Sequence, residues 1–208
     1  MNHTITFRPY RPADRAALTE IIRRTWNYDR FTSAEIAQRM ARLYLDNCLC
    51  SQTFTRVAVQ DGRAIGIIMA KNRRRHRLMP LRRLRWLTSF AAMTQSAESR
   101  AIMHFFGDVS TIDQTLLAES GRSYDGEITF FAIDATARGQ GLGRRLFGAA
   151  RQYLHEQGIQ NCYLFTDTSC NYPFYEHLGL TRRAAHSRTL HAGGEAAEMT
   201  FFLYDFEP

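Results

Sequence analysis

The sequence lacks several features that would assign it to a class at once. None of its 208 positions belongs to an uncharged apolar run of about 18 residues, so we predict no membrane-spanning helix. Its first residues carry early charges and prolines without an apolar core, so we predict no secretory signal peptide. The four cysteines form no C-x-x-C pair and meet no zinc spacing, so we predict no metal site. Together these absences are typical of a reduced, cytoplasmic protein.

Lysine is nearly absent, since Lys71 is the only one among 27 basic residues. The net charge is +7, but eight basic residues and no acidic one lie within residues 71–85. The other 19 basic residues stand against 20 acidic ones, a net of −1. A local basic stretch is more often a solvated surface than a nucleic-acid groove. We therefore predict no nucleic-acid function and keep binding through residues 71–85 as an alternative.

Apolar periodicity predicts a chain that mixes strands and helices. Thr32 and Glu35 form a T-x-x-E capping box, which predicts the start of the second helix. Asp61-Gly62 between two apolar runs predicts a hairpin. The predicted strands are residues 4–10, 54–60, 63–70, 126–135, 161–167, 181–190 and 197–206. The predicted helices are residues 14–26, 32–46, 142–157 and 172–179.

Residues 72–122 do not continue this pattern of predicted strands and helices. They begin with the arginine-rich stretch and continue with helical patterns near 84–94, 98–106 and 111–119. No repeat or second domain is evident. We interpret residues 1–208 as a single domain with a basic, helical insertion at about 72–122.

Between a predicted strand and a predicted helix the sequence reads "RGQGLGRR", from Arg138 to Arg145. No lysine and hydroxyl follow the glycines, so the Walker pattern G-x-x-x-x-G-K-[ST] fails. The dinucleotide pattern G-x-G-x-x-G fails from either starting glycine. The pattern present is R-x-x-G-x-G, which runs from Arg138 through Gly141 to Gly143.

This pattern suits a diphosphate. The first turn of a helix presents N–H groups without intrahelical partners, and the helix dipole adds positive potential. Glycines let a ligand approach the backbone closely. A tight turn without a ligand is the alternative interpretation.

Three stretches, "ITFRPYRPADRAAL", "EITFFAIDATARGQGLGRRLF" and "NYPFYEHLGL", resemble the GCN5-related N-acetyltransferase (GNAT) family. The second carries the family's pyrophosphate loop, and the third its aromatic-Tyr-x-x-x-Gly segment. The resemblance covers roughly residues 4–70 and 123–206. It implies an α/β fold with a mixed, largely antiparallel central sheet, flanked by helices and splayed where acetyl-CoA inserts.

The resemblance also implies which residues bind acetyl-CoA. The sequence departs from the family at Thr168, where many members have asparagine, and Asn171 lies nearby. Proline often stands where this chain has Ala135. The implied cofactor-binding residues are Phe131, Ala132, Ile133, Arg138, Gly139, Gln140, Gly141, Leu142, Gly143, Arg144 and Asn171.

Tyr175 matches the family's usual tyrosine and is the candidate general acid. A phenol with a pKa of ~10 stays protonated at neutral pH and can donate to a departing thiolate. Glu127, at the start of the strand before the loop, is the candidate general base for the amine. A buried aromatic and an exposed strand-end charge are the respective alternatives.

Trp26, Tyr28 and Phe31 connect the first two helices, a region that by resemblance borders the acceptor pocket. An aromatic wall there could receive an amine, although the three residues could equally serve packing.

Taken together, the sequence predicts an enzyme that moves an acyl group, in first place acetyl, from coenzyme A to a primary amine by direct attack in a ternary complex. A catalytically idle acyl-CoA-binding module is the main alternative. The acceptor, which could be a small molecule or a peptide, the acyl length and a homodimeric state stay open.

Overall fold

The computed structural model describes residues 4–30, 32–75, 80–192 and 195–208. Its strands are β1 (Ile5–Arg8), β2 (Phe54–Gln60), β3 (Arg63–Asn72), β4 (Gly126–Ile133), β5 (Cys162–Asp167), β6 (Thr181–Ala192) and β7 (Glu195–Phe206). Its α-helices are α1 (Arg15–Thr25), α2 (Ala34–Ser51), α3 (Pro80–Met93), α4 (Ala97–Glu119), α5 (Leu142–Glu156) and α6 (Pro173–His177). No helix among these residues combines the length and apolarity needed to cross a membrane.

The strands form one sheet in the order β1-β2-β3-β4-β5-β7-β6. Every neighbouring pair is antiparallel except β4 and β5, which are parallel. The predicted fold class, an α/β fold with a mixed, largely antiparallel sheet, is therefore confirmed. The Asp61-Gly62 hairpin is also present, and both residues have positive φ, +50° and +78°, as a type I′ turn requires.

Strand β4 contains a bulge that sets its two faces. Its register with β3 shifts so that Phe130 lies opposite Met69 and Ile128 opposite Ala70, which leaves Thr129 as the extra residue. As a result Ile128 and Phe131 both face the α5 side of the sheet, while Phe130 faces the side of α1 and α2.

Helices cover both faces of the sheet. Leu18, Ile22 and Leu45 of α1 and α2 are fully buried against one face. Leu146 and Leu154 of α5 are fully buried against the other. Burying a large aliphatic side chain contributes roughly 1.5–3 kcal/mol, so both helix layers stabilise the sheet from its two faces.

Residues 72–122, the predicted insertion, contribute two helices. The patterns near residues 98–106 and 111–119 are one continuous helix, α4, because Gly107 between them does not end it. Ile112 and Leu116 of α4 pack on Tyr163 and Leu203 of the sheet. Helix α3 is tied to α2 by Ser89, which donates a 2.6 Å hydrogen bond to Asp46.

The predicted capping box is wrong. Helix α2 begins at Ala34 with Ser33 as N-cap, and Ser33 makes no side-chain capping bond. The acceptor comes from the insertion, since Glu98 accepts a 3.0 Å hydrogen bond from the Ser33 N–H and another from the Thr32 hydroxyl. A tertiary partner has taken the place of the local one.

Candidate active site

The site is built around a gap between β4 and β5. The two strands pair only at Gly126–Ile128 with Cys162–Leu164. Beyond Ile128 and Leu164, no pairing joins the remaining residues of these two strands, all of which the structure describes. The gap therefore exposes strand backbone and side chains between two helix layers.

One end of this gap is a cleft of about 380 Å³ that we call the loop cleft. It joins β4 to the glycine loop and to the segment before α6. Ten of the eleven predicted cofactor-binding residues line it, namely Phe131, Ala132, Ile133, Arg138, Gly139, Gly141, Leu142, Gly143, Arg144 and Asn171. Gln140 is exposed and is absent from this lining.

The loop backbone suits an anionic group. Gly139 and Gly141 have φ values of +80° and +73°, a region that residues with a Cβ adopt at a cost. A Cβ built on either would meet nothing within 4 Å, so space beside the backbone is open. Gly141 is the N-cap of α5 and supplies no side chain to its first turn, whose N–H groups lack intrahelical partners.

The arginines of the loop divide into two groups. Arg138 and Arg144 are exposed and line the cleft. Arg145 lies over the ring of Phe7, 4.2 Å from its centroid, and does not line the cleft. The residues present therefore fit a bound diphosphate, with Arg138 and Arg144 adding positive charge at its mouth.

Tyr175 lies where the cleft continues deeper into the gap. It is 9% exposed, and the rings of Phe147 and Phe174 pack on it at centroid distances of 6.2 and 5.5 Å. Burial raises the pKa of its hydroxyl above that of an ordinary tyrosine. The phenol therefore stays protonated at neutral pH and is available as a donor.

The deeper end of the gap is a second space of about 200 Å³, which we call the aromatic cavity. It shares Trp26, Phe131, Cys170 and Tyr175 with the loop cleft. Trp26 and Tyr28, predicted to border an acceptor pocket, both line it. Phe31 lies outside the described residues.

Several residues that line this cavity were not predicted from the sequence. Tyr44 of α2 and Phe130 of β4 meet the Trp26 ring at 5.4 and 5.9 Å. Asp113 of α4 and Asp167 of β5 also line the cavity. No motif carries these residues, because they come from four elements that only the fold brings together.

Glu127 occupies the same face of the sheet as α4, since it pairs with Tyr163, which packs on that helix. Its carboxylate lies 4.0 Å from the Lys71 ammonium. It lines neither the loop cleft nor the aromatic cavity. Its predicted role as base stays a prediction.

Cys170 borders both spaces but is poorly suited to attack a substrate. Burial, with the nearby charge of Asp167 as the next cause, raises the pKa of its thiol to about 11. The thiolate is the nucleophilic form, so Cys170 is almost wholly unreactive at neutral pH. In the described part of the chain, no group of three or more His, Cys, Asp or Glu side chains could hold a metal ion.

A family model described as "Acetyltransferase (GNAT) family" matches residues 15–180. A mycothiol acetyltransferase from Salinispora tropica is 38% identical over 69 residues. That match covers 32% of this chain and 22% of the relative, so it spans about a fifth of the relative's length.

Solved structures show the same fold over nearly the whole chain. A protein named SsHAT superimposes with a TM-score of 0.63 at 19% identity, covering 98% of each chain. The structure of yncA from Salmonella typhimurium with its cofactor acetyl-CoA has a TM-score of 0.52 at 16% identity, covering 96% of this chain and 92% of that one.

Proposed function

Because the chain belongs to the GNAT acetyltransferase family, we propose that it transfers an acetyl group from acetyl-CoA to a primary amine. The single observation that carries this proposal is the gap between β4 and β5. Its two ends are a glycine loop suited to a diphosphate and an aromatic cavity sized for a small amine, and Tyr175 lies between them.

The donor side is the loop cleft. We propose that the α5 N-terminus, Arg138 and Arg144 hold the pyrophosphate, while the backbone of Phe131–Ile133, which pairs with β3 but not with β5, lies beside the pantetheine arm. The donor contributes a thioester, whose carbonyl carbon is open to attack. A relative of the same fold has been solved with acetyl-CoA, which supports this donor.

The acceptor side is the aromatic cavity. An amine bound there would lie within the same gap as the thioester, so most of the rate would come from holding the two reactants together. Tyr175 would donate to the leaving sulfur, because its hydroxyl keeps its proton. A Cys170 thiol with a pKa of about 11 supports direct attack in a ternary complex over a covalent enzyme intermediate.

The test of this function is release of free CoA from acetyl-CoA across a panel of primary amines. With an accepted amine, Tyr175→Phe should lower kcat by about 100-fold, the lower range for loss of a general acid. KM for acetyl-CoA should change little, because the ring and its packing remain.

Tyr172→Phe is the matched control, since Tyr172 is a neighbouring tyrosine outside both spaces. Equal turnover by Tyr175→Phe and the wild type would refute the general-acid role. Tight acetyl-CoA binding with no turnover of any amine would favour an idle acyl-CoA-binding module.

A further inference from the structure

The aromatic cavity contains a carboxylate that belongs to no sequence motif. Asp113 lies in α4, within the segment for which the sequence showed no family counterpart, and lines the cavity. The charged residues in its described lining are Asp113 and Asp167, both acidic, with no arginine, lysine or histidine among them. The cavity is thus negatively charged and walled by rings.

The two carboxylates differ in what they already bind. Asp167 accepts hydrogen bonds from the N–H and the hydroxyl of Ser169, the first at 2.7 Å. Asp113 makes no hydrogen bond or salt bridge to any side chain that the structure describes. Asp113 is therefore the carboxylate that is left to bind a ligand.

The rings around it suit a cation. Trp26 and Phe130 stack at 5.9 Å, and Tyr44 meets Phe130 edge-on at 5.6 Å. Faces of tryptophan and tyrosine attract ammonium groups, more strongly when the site is desolvated. An acceptor with its own carboxylate or phosphate would meet only like charge here.

We propose that Asp113 binds the acceptor's ammonium and takes up its proton, so that the acceptor is a small cationic amine without an acidic group. This inference rests on the proposed function. One N–H proton passes to the Asp113 carboxylate, and the freed lone pair forms the bond to the thioester carbonyl carbon. The carbon–sulfur bond breaks, the sulfur takes a proton from Tyr175, and the second amine proton replaces the one that Tyr175 gave. Asp113 then releases its proton to solvent.

The protonation behaviour of Asp113 is compatible with this role. Burial is the main cause that raises its pKa to about 7, and the charges of Glu127 and Asp167 add to it. A base with a pKa near the working pH is the most effective one. Glu127 then acts as a positioning residue, because its charge strengthens the proton affinity of Asp113.

Other charged groups face α4 from the strands packed on it. Ala184 of β6 packs against the buried residues of α4. Alternate residues of a strand face the same side, so His186 and Arg188 lie on the same face of β6 as Ala184. Lys71 faces Glu127 from β3. Protonation of His186 or the charge of Lys71 would lower the pKa of Asp113, so neither can be the source of its raised value.

The experiment is the pH profile of kcat/KM for an accepted amine in Asp113→Asn, Glu127→Gln and the control Asp108→Asn. Asp108 is an exposed carboxylate on the same helix. The wild type and Asp108→Asn should rise with an apparent pKa near 7. Asp113→Asn should lose this rise and about 100-fold or more of kcat/KM at pH 8. Glu127→Gln should shift the rise to lower pH and keep the plateau.

A rise that persists in Asp113→Asn and disappears in Glu127→Gln would overturn the proposal and make Glu127 the base. Thermal unfolding shows whether the Asp113→Asn variant is correctly folded. Since a buried carboxylate is disfavoured when ionised, Asp113→Asn should melt above the wild type at pH 8, and the difference should shrink as pH falls and nearly vanish at pH 4, close to the unfolded carboxyl pKa of about 3.9. A variant that melts below the wild type at both pH values would show that Asp113 has a structural role and would overturn its assignment as the base.

The acceptor class is tested with matched pairs such as phenethylamine and phenylalanine, which differ by one carboxylate. We expect kcat/KM to favour the amine by about 100-fold or more, the scale of a buried like-charge penalty. Preference for the amino acids would overturn this inference while the proposed function stands. If acetyl-CoA binds but none of the acceptors causes release of CoA, the proposed function is refuted instead.

Discussion

Gly139 and Gly141 show how single residues shape the loop cleft, the proposed donor site. Both have positive φ and open space where a Cβ would stand. An added methyl group would therefore meet no protein atom, and its cost would come from the backbone conformation and from any ligand that approaches. Gly148, in the exposed middle of α5, offers the opposite case, a helical glycine that the structure does not require.

We predict that Gly141→Ala lowers the free energy of unfolding by about 1–2 kcal/mol, the cost of a left-handed conformation for a residue with a Cβ. It should also weaken acetyl-CoA binding by about 10-fold, because the methyl group occupies the approach to the loop. Chemical denaturation and calorimetric titration measure the two effects.

Gly148→Ala is the matched control for this change. It should stabilise the protein by about 0.5–1 kcal/mol, since alanine is the better helix former, and leave acetyl-CoA affinity unchanged. If both variants bind acetyl-CoA as the wild type does, the loop does not hold the diphosphate.

At the scale of elements, the insertion does more than cover the sheet. Glu98 near the start of α4 takes hydrogen bonds from the segment that enters α2. The Thr32 hydroxyl, as the main cause, lowers the pKa of the Glu98 carboxyl below its ordinary value. Ionised Glu98 therefore links the start of α2 to the insertion.

We predict that Glu98→Ala lowers the melting temperature at pH 7. Because the folded pKa is depressed, the stabilisation is complete above the unfolded pKa of about 4.3 and is lost as pH falls through the folded value. The melting temperatures of variant and wild type should therefore converge below about pH 4.

Glu119→Ala is the control at the other end of α4, where an acidic side chain opposes the helix dipole. It should leave the melting temperature unchanged or slightly raised. A wild-type melting temperature in Glu98→Ala at pH 7 would contradict the predicted link.

At the scale of the whole molecule, the open sheet is an incomplete structure that a ligand can complete. The two strands at its centre separate after three paired residues each. The loop cleft and the aromatic cavity occupy the resulting gap. A ligand that fills the gap binds the folded state alone, because the unfolded chain has no such gap.

We predict that acetyl-CoA at 100 times its dissociation constant stabilises the protein by about 2.7 kcal/mol. For a chain of this size that is a rise of roughly 5–10 °C in melting temperature. At the same acetyl-CoA concentration, the melting temperature of Gly141→Ala should rise less than that of the wild type. Absence of any rise would contradict a donor site in the gap.

The sequence brought most of the residues of the loop cleft together in one prediction because they are local. The residues from β4 through the loop to α5 are contiguous, and their glycine spacing and helix start carry a physical requirement at each position. The hairpin at Asp61-Gly62 was predictable for the same reason. The capping box at Thr32 and Glu35 failed because Glu98, 66 residues after Thr32, supplied the acceptor.

The aromatic cavity was decided by tertiary structure. Trp26 and Tyr28 were predicted from resemblance, but Tyr44, Phe130 and Asp113 have no local signal that separates them from ordinary core or surface residues. They share one cavity only because β4 and β5 part and because α4, packed on β5 and β7, brings Val109 and Asp113 to the gap. The sequence alone thus determined the family, the glycine loop and the order of elements. Packing and burial alone gave side chains far apart in sequence a common cavity and raised the pKa of Asp113.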